Sequence, residues 1–137
     1  MSEATPDTAL EANLLNRVTL GDTLHRSARK FGAKVALVDG ARRMTHGELN
    51  ADSNRYAHAL LASSLKPGDK VAMVCGNSAQ FLVAAYGILK AGLVWVPINA
   101  MLGPEDVRYI LEHAEARHVV IDAALYPALR DTLATLG

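Results

Sequence analysis

The sequence predicts an α/β fold: a mainly parallel sheet with helices on both faces, preceded by an N-terminal β-hairpin. From residue 71 onward, short apolar segments alternate three times with segments of helical periodicity, which is typical of strand–helix units. The apolar segments lack polar alternation, so we expect strands buried on both faces of a parallel sheet. Upstream, Asp39-Gly40 separates two short strand-like runs, which indicates a hairpin.

Composition excludes several classes of protein. The chain has 137 residues, half of them hydrophobic, which is enough for one domain with a core. Its 14 Lys and Arg balance its 14 Asp and Glu, and aromatics are 5%, so we expect no nucleic-acid partner. The single cysteine, Cys75, excludes an internal disulfide and predicts a reducing, cytoplasmic location.

The N-terminal residues do not have the pattern of a secretory signal. Residues 1–16 are acidic, with no basic start and no apolar stretch, and are predicted to be a flexible tail before a domain at 17–137. Ala79–Ile98 has the length of a membrane span, but Lys90 and Pro97 interrupt it. We therefore predict a buried helix followed by a buried strand, and no transmembrane segment.

The first half of the domain predicts two helices around the hairpin. Thr19 is the predicted N-cap of the first helix, and Thr45 with Glu48 has the spacing of a capping box for the second. Both Asp39 and Gly40 are expected to have positive φ in the hairpin turn. The predicted elements are helix Leu20–Lys30, strands Val35–Val38 and Arg42–Thr45, and helix Glu48–Ala62, with Leu49, Tyr56 and Leu60 facing inward.

The second half supplies the strand–helix units. The predicted elements are strand Val71–Cys75, helix Ala79–Ala91, strand Leu93–Ile98, a helix begun by Pro104 with Val107, Ile110, Leu111 and Ala114 inward, strand His118–Ile121, and helix Ala123–Leu136. The helix over Ala79–Ala91 is nearly all apolar, so we expect it to lie between layers. Phe81, Ile88 and Leu89 should then be nearly fully buried.

The sequence contains no Gly-x-Gly-x-x-Gly and no Gly-x-x-x-x-Gly-Lys-Ser/Thr phosphate loop. Gly76-Asn77-Ser78, at a strand-to-helix junction, is the nearest candidate for holding an anion through backbone N–H groups. A tight turn with a helix cap is the favoured interpretation. Cys75 ends a buried strand, which indicates a structural thiol rather than a nucleophile.

The remaining polar residues predict no site in this chain. Histidines are scattered without the spacing of metal ligands: His25, His46, His58, His113 and His118. Carboxylates lie at predicted helix starts and on polar faces: Glu105, Asp106, Glu112, Glu115 and Asp131. They are interpreted as partners of helix dipoles and of solvent. No catalytic, cofactor-binding or metal-binding residue is therefore predicted.

An ordered set of features over Val71–Asp122 resembles a known family. The features are the Gly76-Asn77-Ser78 turn, Phe81, Gly87-Ile88-Leu89-Lys90-Ala91-Gly92, Val96-Pro97-Ile98-Asn99, Pro104-Glu105, Tyr109-Ile110-Leu111 and the strand ending at Asp122, with Thr45, Glu48-Leu49, Asn54-Arg55 and Ala59-Leu60 upstream. Over roughly residues 20–130 the chain resembles the amino-terminal region of acyl- and aryl-CoA synthetases, which are adenylate-forming enzymes.

The resemblance implies a function for a longer parent protein. Such enzymes use ATP and Mg²⁺ to convert a carboxylic acid to an acyl-adenylate, and most acyl-CoA members then transfer the acyl group to CoA. Their phosphate loop, ribose-binding Asp and catalytic Lys lie beyond the region that this chain resembles. The resemblance therefore implies an N-terminal fragment, inactive alone, with ATP, Mg and CoA belonging to the full-length parent. Ending at Gly137, after a helical pattern, agrees with truncation but also with a genuine C-cap.

One departure bears on CoA. In many relatives the segment after Val-Pro-x-Asn reads Pro-Arg-Leu, whereas here Ala100-Met101-Leu102 stands. The basic residue at the position of Met101 approaches the CoA phosphates in some relatives. No CoA contact is therefore carried over to this chain.

Three hypotheses stay open at this stage. The chain is a fragment of an ATP-dependent acyl-CoA ligase, a short natural protein that uses the unit for binding or interaction, or an unrelated flavodoxin-like nucleotide binder. The partner implied by the first is the remainder of the synthetase. An apolar face left open without it predicts a homodimer through helix Ala123–Leu136 and the free sheet edge. Alternatively, residues 1–16 cover that face.

Overall fold

The computed structural model describes residues 19–135. The predicted tail at 1–16 and the inward position of Leu136 lie outside these residues. The elements are α1 Leu20–Phe31, β1 Val35–Asp39, β2 Arg42–Thr45, α2 His46–Ala62, β3 Lys70–Val74, α3 Ala79–Lys90, β4 Val94–Ile98, α4 Pro104–His113, β5 His118–Ile121 and α5 Tyr126–Ala134.

The two predicted caps are confirmed. The Asp22 N–H donates to Thr19 Oγ1 at 3.3 Å at the start of α1. At α2 the Glu48 N–H donates to Thr45 Oγ1 at 3.2 Å, and the Thr45 N–H donates to Glu48 Oε2 at 2.8 Å. Because Thr45 is the N-cap and Glu48 is the third residue of the helix in a capping box, α2 begins at His46 rather than at the predicted Glu48.

The hairpin turn lies one residue later than predicted. Asp39 pairs with Arg42 as the last position of the β1–β2 ladder, so Gly40 and Ala41 form the two-residue loop. Gly40 has a φ of 56°, whereas Asp39 is not among the residues with positive φ. The expectation of positive φ at both Asp39 and Gly40 is wrong, because Asp39 keeps the extended backbone of the strand.

The main sheet is parallel and has the order β4-β3-β5, with β3 in the centre. Val71 and Met73 pack into a cluster with residues of α2 and α3. Ala72 and Val74 pack into a second cluster with residues of α4 and α5. All four side chains are buried, which confirms the prediction of a parallel strand covered on both faces.

Several element ends differ from the predicted ones. Strand β3 stops at Val74, which leaves Cys75 just beyond the strand. Helix α5 begins at Tyr126 rather than at Ala123, because the N–H groups of Leu125 and Tyr126 both bond to the carbonyl of Asp122 and form a turn there.

Helix α3 is less buried than predicted. Ile88 is fully buried, but Phe81 and Leu89 are half-buried, so the expectation of near-complete burial is wrong for these two. Each lines a separate surface cleft. The predicted helix and strand within Ala79–Ile98 are both present, and between residues 19 and 135 no helix has the length and apolarity to cross a bilayer.

Candidate functional site

A cleft of about 490 Å³ lies at the carboxyl ends of β3 and β5. The chain leaves β3 through α3 to reach β4, and then passes back through α4 to β5 on the other side of β3. Helices α3 and α4 pack on opposite faces of the sheet. In open α/β sheets this change of direction opens a crevice at the carboxyl ends of the strands, where ligands bind.

The wall of the cleft is largely apolar and continuous with the core. Its apolar residues are Tyr56, Phe81, Val83, Ala84, Val120, Ile121 and Ala123. Phe81 meets Trp95 edge to face, with ring centroids 5.8 Å apart, in a geometry that aromatic pairs prefer. Trp95 packs against the core cluster that contains Val71 and Met73. It therefore contacts the cleft through Phe81 and does not line the cleft itself.

Polar groups reach the cleft from four segments of the chain: Arg42, Asp52, Cys75, Ser78, Gln80 and Asp122. Asp52 forms an ion pair with Arg55 and lies 3.9 Å from the Arg42 guanidinium. Asp122 is exposed and has no ion-pair partner within residues 19–135. The cleft therefore holds one carboxylate, that of Asp122, which forms no ion pair within that range.

Two weak acids in the cleft, Tyr56 and Cys75, have raised pKa values. Burial raises the pKa of the Tyr56 hydroxyl, with a smaller contribution from Cys75. Burial also raises the pKa of the Cys75 thiol, and the Asp122 carboxylate adds to this effect. The thiol donates to the Val120 carbonyl at 3.7 Å. This environment supports the interpretation of Cys75 as a structural thiol, because thiolate formation is disfavoured there.

The amino end of α3, considered above as an anion site, is capped by the protein itself. The Ala79 N–H donates to Asp39 Oδ2 at 2.9 Å, and the Phe81 N–H donates to Ser78 Oγ at 3.1 Å. These contacts use first-turn N–H groups that a phosphate would need. They favour the turn-and-cap interpretation of Gly76-Asn77-Ser78 and remove support from the flavodoxin-like hypothesis.

The histidines singled out above lie apart from the cleft lining. His113 stacks on Tyr109 along α4, with ring centroids 5.6 Å apart, and His46 packs near Phe31 at 6.4 Å. Among the residues described, no three His, Cys, Asp or Glu side chains are close enough together to hold a metal ion.

Three of the carboxylates considered above form exposed ion pairs. Glu105 pairs with Arg108 at 2.5 Å, Glu115 with Lys70 at 3.4 Å, and Asp131 with Arg130 at 3.2 Å. These carboxyl groups are more than 80% exposed. Such pairs contribute little to stability, and the geometry agrees with the interpretation of these carboxylates as solvated.

The sequence analysis did not identify Arg42 and Asp52 as cleft residues. They belong to β2 and α2, which are distant in sequence from the ends of β3 and β5. The available signal was positional: Cys75 and Asp122 directly follow two parallel strands, and the carboxyl ends of such strands lie at one edge of a sheet.

Fold and cleft together define a class: an open, parallel α/β unit with a ligand-sized crevice where the strand order changes direction. A family model described as AMP-binding enzyme matches residues 24–136. The chain belongs to this family, which confirms the resemblance to the adenylate-forming enzymes.

The similar proteins are CoA ligases. The chain is 36% identical over 111 residues to crotonobetaine/carnitine–CoA ligase of Citrobacter koseri, covering 77% of this chain and 22% of that protein. It is 35% identical over 96 residues to 3-hydroxybenzoate–CoA ligase of an Aromatoleum species, covering 70% and 18%.

Among solved structures, the anthranilate CoA ligase AuaEII in complex with anthranoyl-AMP matches with a TM-score of 0.82 and 27% identity. The match covers 86% of this chain and 23% of that one. The chain thus spans about a fifth of the length of the curated relatives just named. The matched structure confirms the predicted class of fold, that of an N-terminal region of an adenylate-forming enzyme.

Proposed function

We propose that this chain forms the N-terminal α/β part of an ATP-dependent acid–CoA ligase. The whole protein would convert a carboxylic acid, ATP and CoA to acyl-CoA, AMP and pyrophosphate. The observation that carries this proposal is the match of 86% of the chain to 23% of a CoA ligase at a TM-score of 0.82. The remainder of the ligase is then the chain's principal partner.

The chemistry would come from the rest of the protein. Within residues 19–135, no group of side chains fits Mg²⁺, and the N–H groups at the start of α3 are engaged by Asp39 and Ser78. Phosphoryl transfer needs positioned cations and donors on the developing charge. These residues offer ATP no such cradle, so we propose that the chain alone is inactive.

The choice of acid would also be made elsewhere. Identity to a crotonobetaine/carnitine–CoA ligase and to a 3-hydroxybenzoate–CoA ligase is nearly equal, at 36% and 35%. If this region selected the acid, the chain would be expected to resemble one of the two more closely. We therefore propose a structural role for this chain: it packs against the catalytic parts of the domain and supports them.

Acid-dependent exchange of pyrophosphate into ATP tests both parts of this proposal. The 137-residue chain and the product of its complete reading frame are assayed with a panel of benzoates, fatty acids and carnitine-like acids. We expect exchange only with the longer product. Exchange by the 137-residue chain would contradict its inactivity, and no exchange by a longer product with any acid would contradict the ligase assignment.

The second candidate function is a stand-alone binding or interaction module, and the cleft at β3 and β5 favours it. A reading frame that stops after Gly137 would select this candidate over the first. For either function we propose a cytoplasmic location, which is supported by the single cysteine of the sequence.

A further inference from the structure

The cleft at the carboxyl ends of β3 and β5 has the size and wall of a small-molecule site. Its volume of about 490 Å³ lies within the roughly 300–1,000 Å³ of ligand pockets. The rings of Tyr56 and Phe81 line it and are half-buried against the core. They provide a preformed surface for a flat apolar body.

The cleft lining carries two carboxylates, those of Asp52 and Asp122, and one cation, that of Arg42. The Arg42 guanidinium lies 3.9 Å from the Asp52 carboxylate, so its cation faces a carboxylate of the protein. Asp122 has no such neighbour between residues 19 and 135. Asp122 follows β5, and its carboxylate reaches toward Gly76, which follows β3. A Cβ built at Gly76 would lie 3.7 Å from Asp122 Oδ2.

We propose that this cleft binds a small molecule with an aromatic or aliphatic body and a cationic amine. The body would lie against Tyr56 and Phe81, and the amine would face the Asp122 carboxylate. Aromatic faces attract cations as well, so both features favour the same charge on the ligand. The inference does not depend on the proposed ligase function.

The chain offers two single-residue reporters for a binding experiment. Trp95 is its only tryptophan and Cys75 its only cysteine. Trp95 contacts Phe81 of the cleft wall, and Cys75 lines the cleft directly. A ligand in the cleft should therefore change both the Trp95 emission and the rate at which excess iodoacetamide alkylates Cys75, with the same concentration dependence, when both are measured at neutral pH, where benzylamine is charged.

Three ligands of matched shape separate charge from hydrophobic contact: benzylamine, benzyl alcohol and benzoate. We expect a saturable signal with benzylamine. Its affinity should be about fivefold higher than that of benzyl alcohol, and benzoate should bind more weakly than benzyl alcohol. Fivefold is the upper range for one exposed ion pair. Added salt should reduce the preference, because it screens this pair.

Asp122→Asn should lower benzylamine affinity to that of benzyl alcohol, whereas Asp131→Asn, at a carboxylate that is 91% exposed on α5, should leave it unchanged. The salt dependence of the unmodified chain gives the same information if Asp122→Asn does not fold. The proposal is overturned if no ligand gives a saturable signal, if the three ligands bind equally, or if Asp122→Asn binds like the unmodified chain.

Discussion

Gly87 of α3 packs directly against Tyr56 of α2. A Cβ at Gly87 would be 2.7 Å from Tyr56 Cδ1, 3.0 Å from Tyr56 Cβ and 3.1 Å from the Ser53 carbonyl oxygen. One of these neighbours is backbone, and Ser53 is completely buried. The absence of a side chain at Gly87 therefore sets the distance between the two helices and places the Tyr56 ring in the cleft wall.

Gly87→Ala should destabilise the chain. Alanine is the better helix former by about 1 kcal/mol, but overpacking a filled contact costs about 1–3 kcal/mol, so we expect a net loss. Urea denaturation measures it. Gly76→Ala is the control, because its Cβ would meet only Asp122 Oδ2 at 3.7 Å. Equal stability of the two variants would contradict the close packing of α2 and α3.

Asp39→Ala should lower the free energy of unfolding by about 1 kcal/mol, because it removes one of the two side-chain acceptors that cap the start of α3. The Asp39 carboxylate accepts from the Ala79 N–H at the start of α3 and so joins the hairpin to the main sheet layer. The measurement is urea denaturation, with Asp131→Ala as a control at an exposed carboxylate. A loss no larger than that of the control would show that the cap contributes nothing.

Ile88→Ala should cost about 2–5 kcal/mol, because Ile88 is completely buried in the cluster between α2, α3 and β3. Leu61→Ala removes an apolar side chain that is 45% exposed on α2 and should cost much less. Both are compared by urea denaturation. A loss below about 0.5 kcal/mol for Ile88→Ala, within the usual range of surface substitutions, would mean that α3 does not pack as described.

Alkylation of Cys75 should be slow at neutral pH and should become fast only at an unusually high pH. Burial and the Asp122 carboxylate raise the pKa of the thiol above its ordinary value of 9.0, so less thiolate is present at any given pH. The rate with iodoacetamide should therefore reach half its maximum above pH 9.0 in the folded chain, and near that pH in urea. The thiol ionises at a lower pH in the unfolded chain than in the folded chain. The free energy of unfolding should therefore be constant with respect to this group below about pH 9.0 and should fall as the pH rises above it.

Self-association remains a prediction for the isolated chain. Several apolar side chains are more than 40% exposed, including Val35, Val38, Val94 and Tyr126, and among residues 19–135 β4 and β5 are the outer strands of the main sheet. We expect a two-fold dimer, because exposed apolar surface and free edges recruit partners. Sedimentation equilibrium at tens of micromolar should give twice 14.6 kDa. A single species at the monomer mass would contradict the dimer. Deletion of residues 1–16 would then test whether these residues cover the exposed apolar surface.

Much of the fold could be predicted because its signals are local. The capping box of Thr45 and Glu48 spans three positions, and the buried run from Val71 to Val74 needs no partner to be recognised. Ends of elements were less accurate. Helix α5 was predicted three residues too early, because the turn at Asp122 depends on backbone bonds that leave no apolar pattern.

By itself, the sequence determined the alternation of strands and helices, the double-sided burial of β3 and membership of the AMP-binding enzyme family. Only the tertiary structure decided the order β4-β3-β5, the capping of α3 by Asp39 and the cleft at the strand ends. The physical reason is distance along the chain. Periodicity and caps act over a few residues, whereas the Asp39 carboxylate bonds to an N–H 40 positions away. Such contacts form only after the crossover helices have packed on the two faces of the sheet.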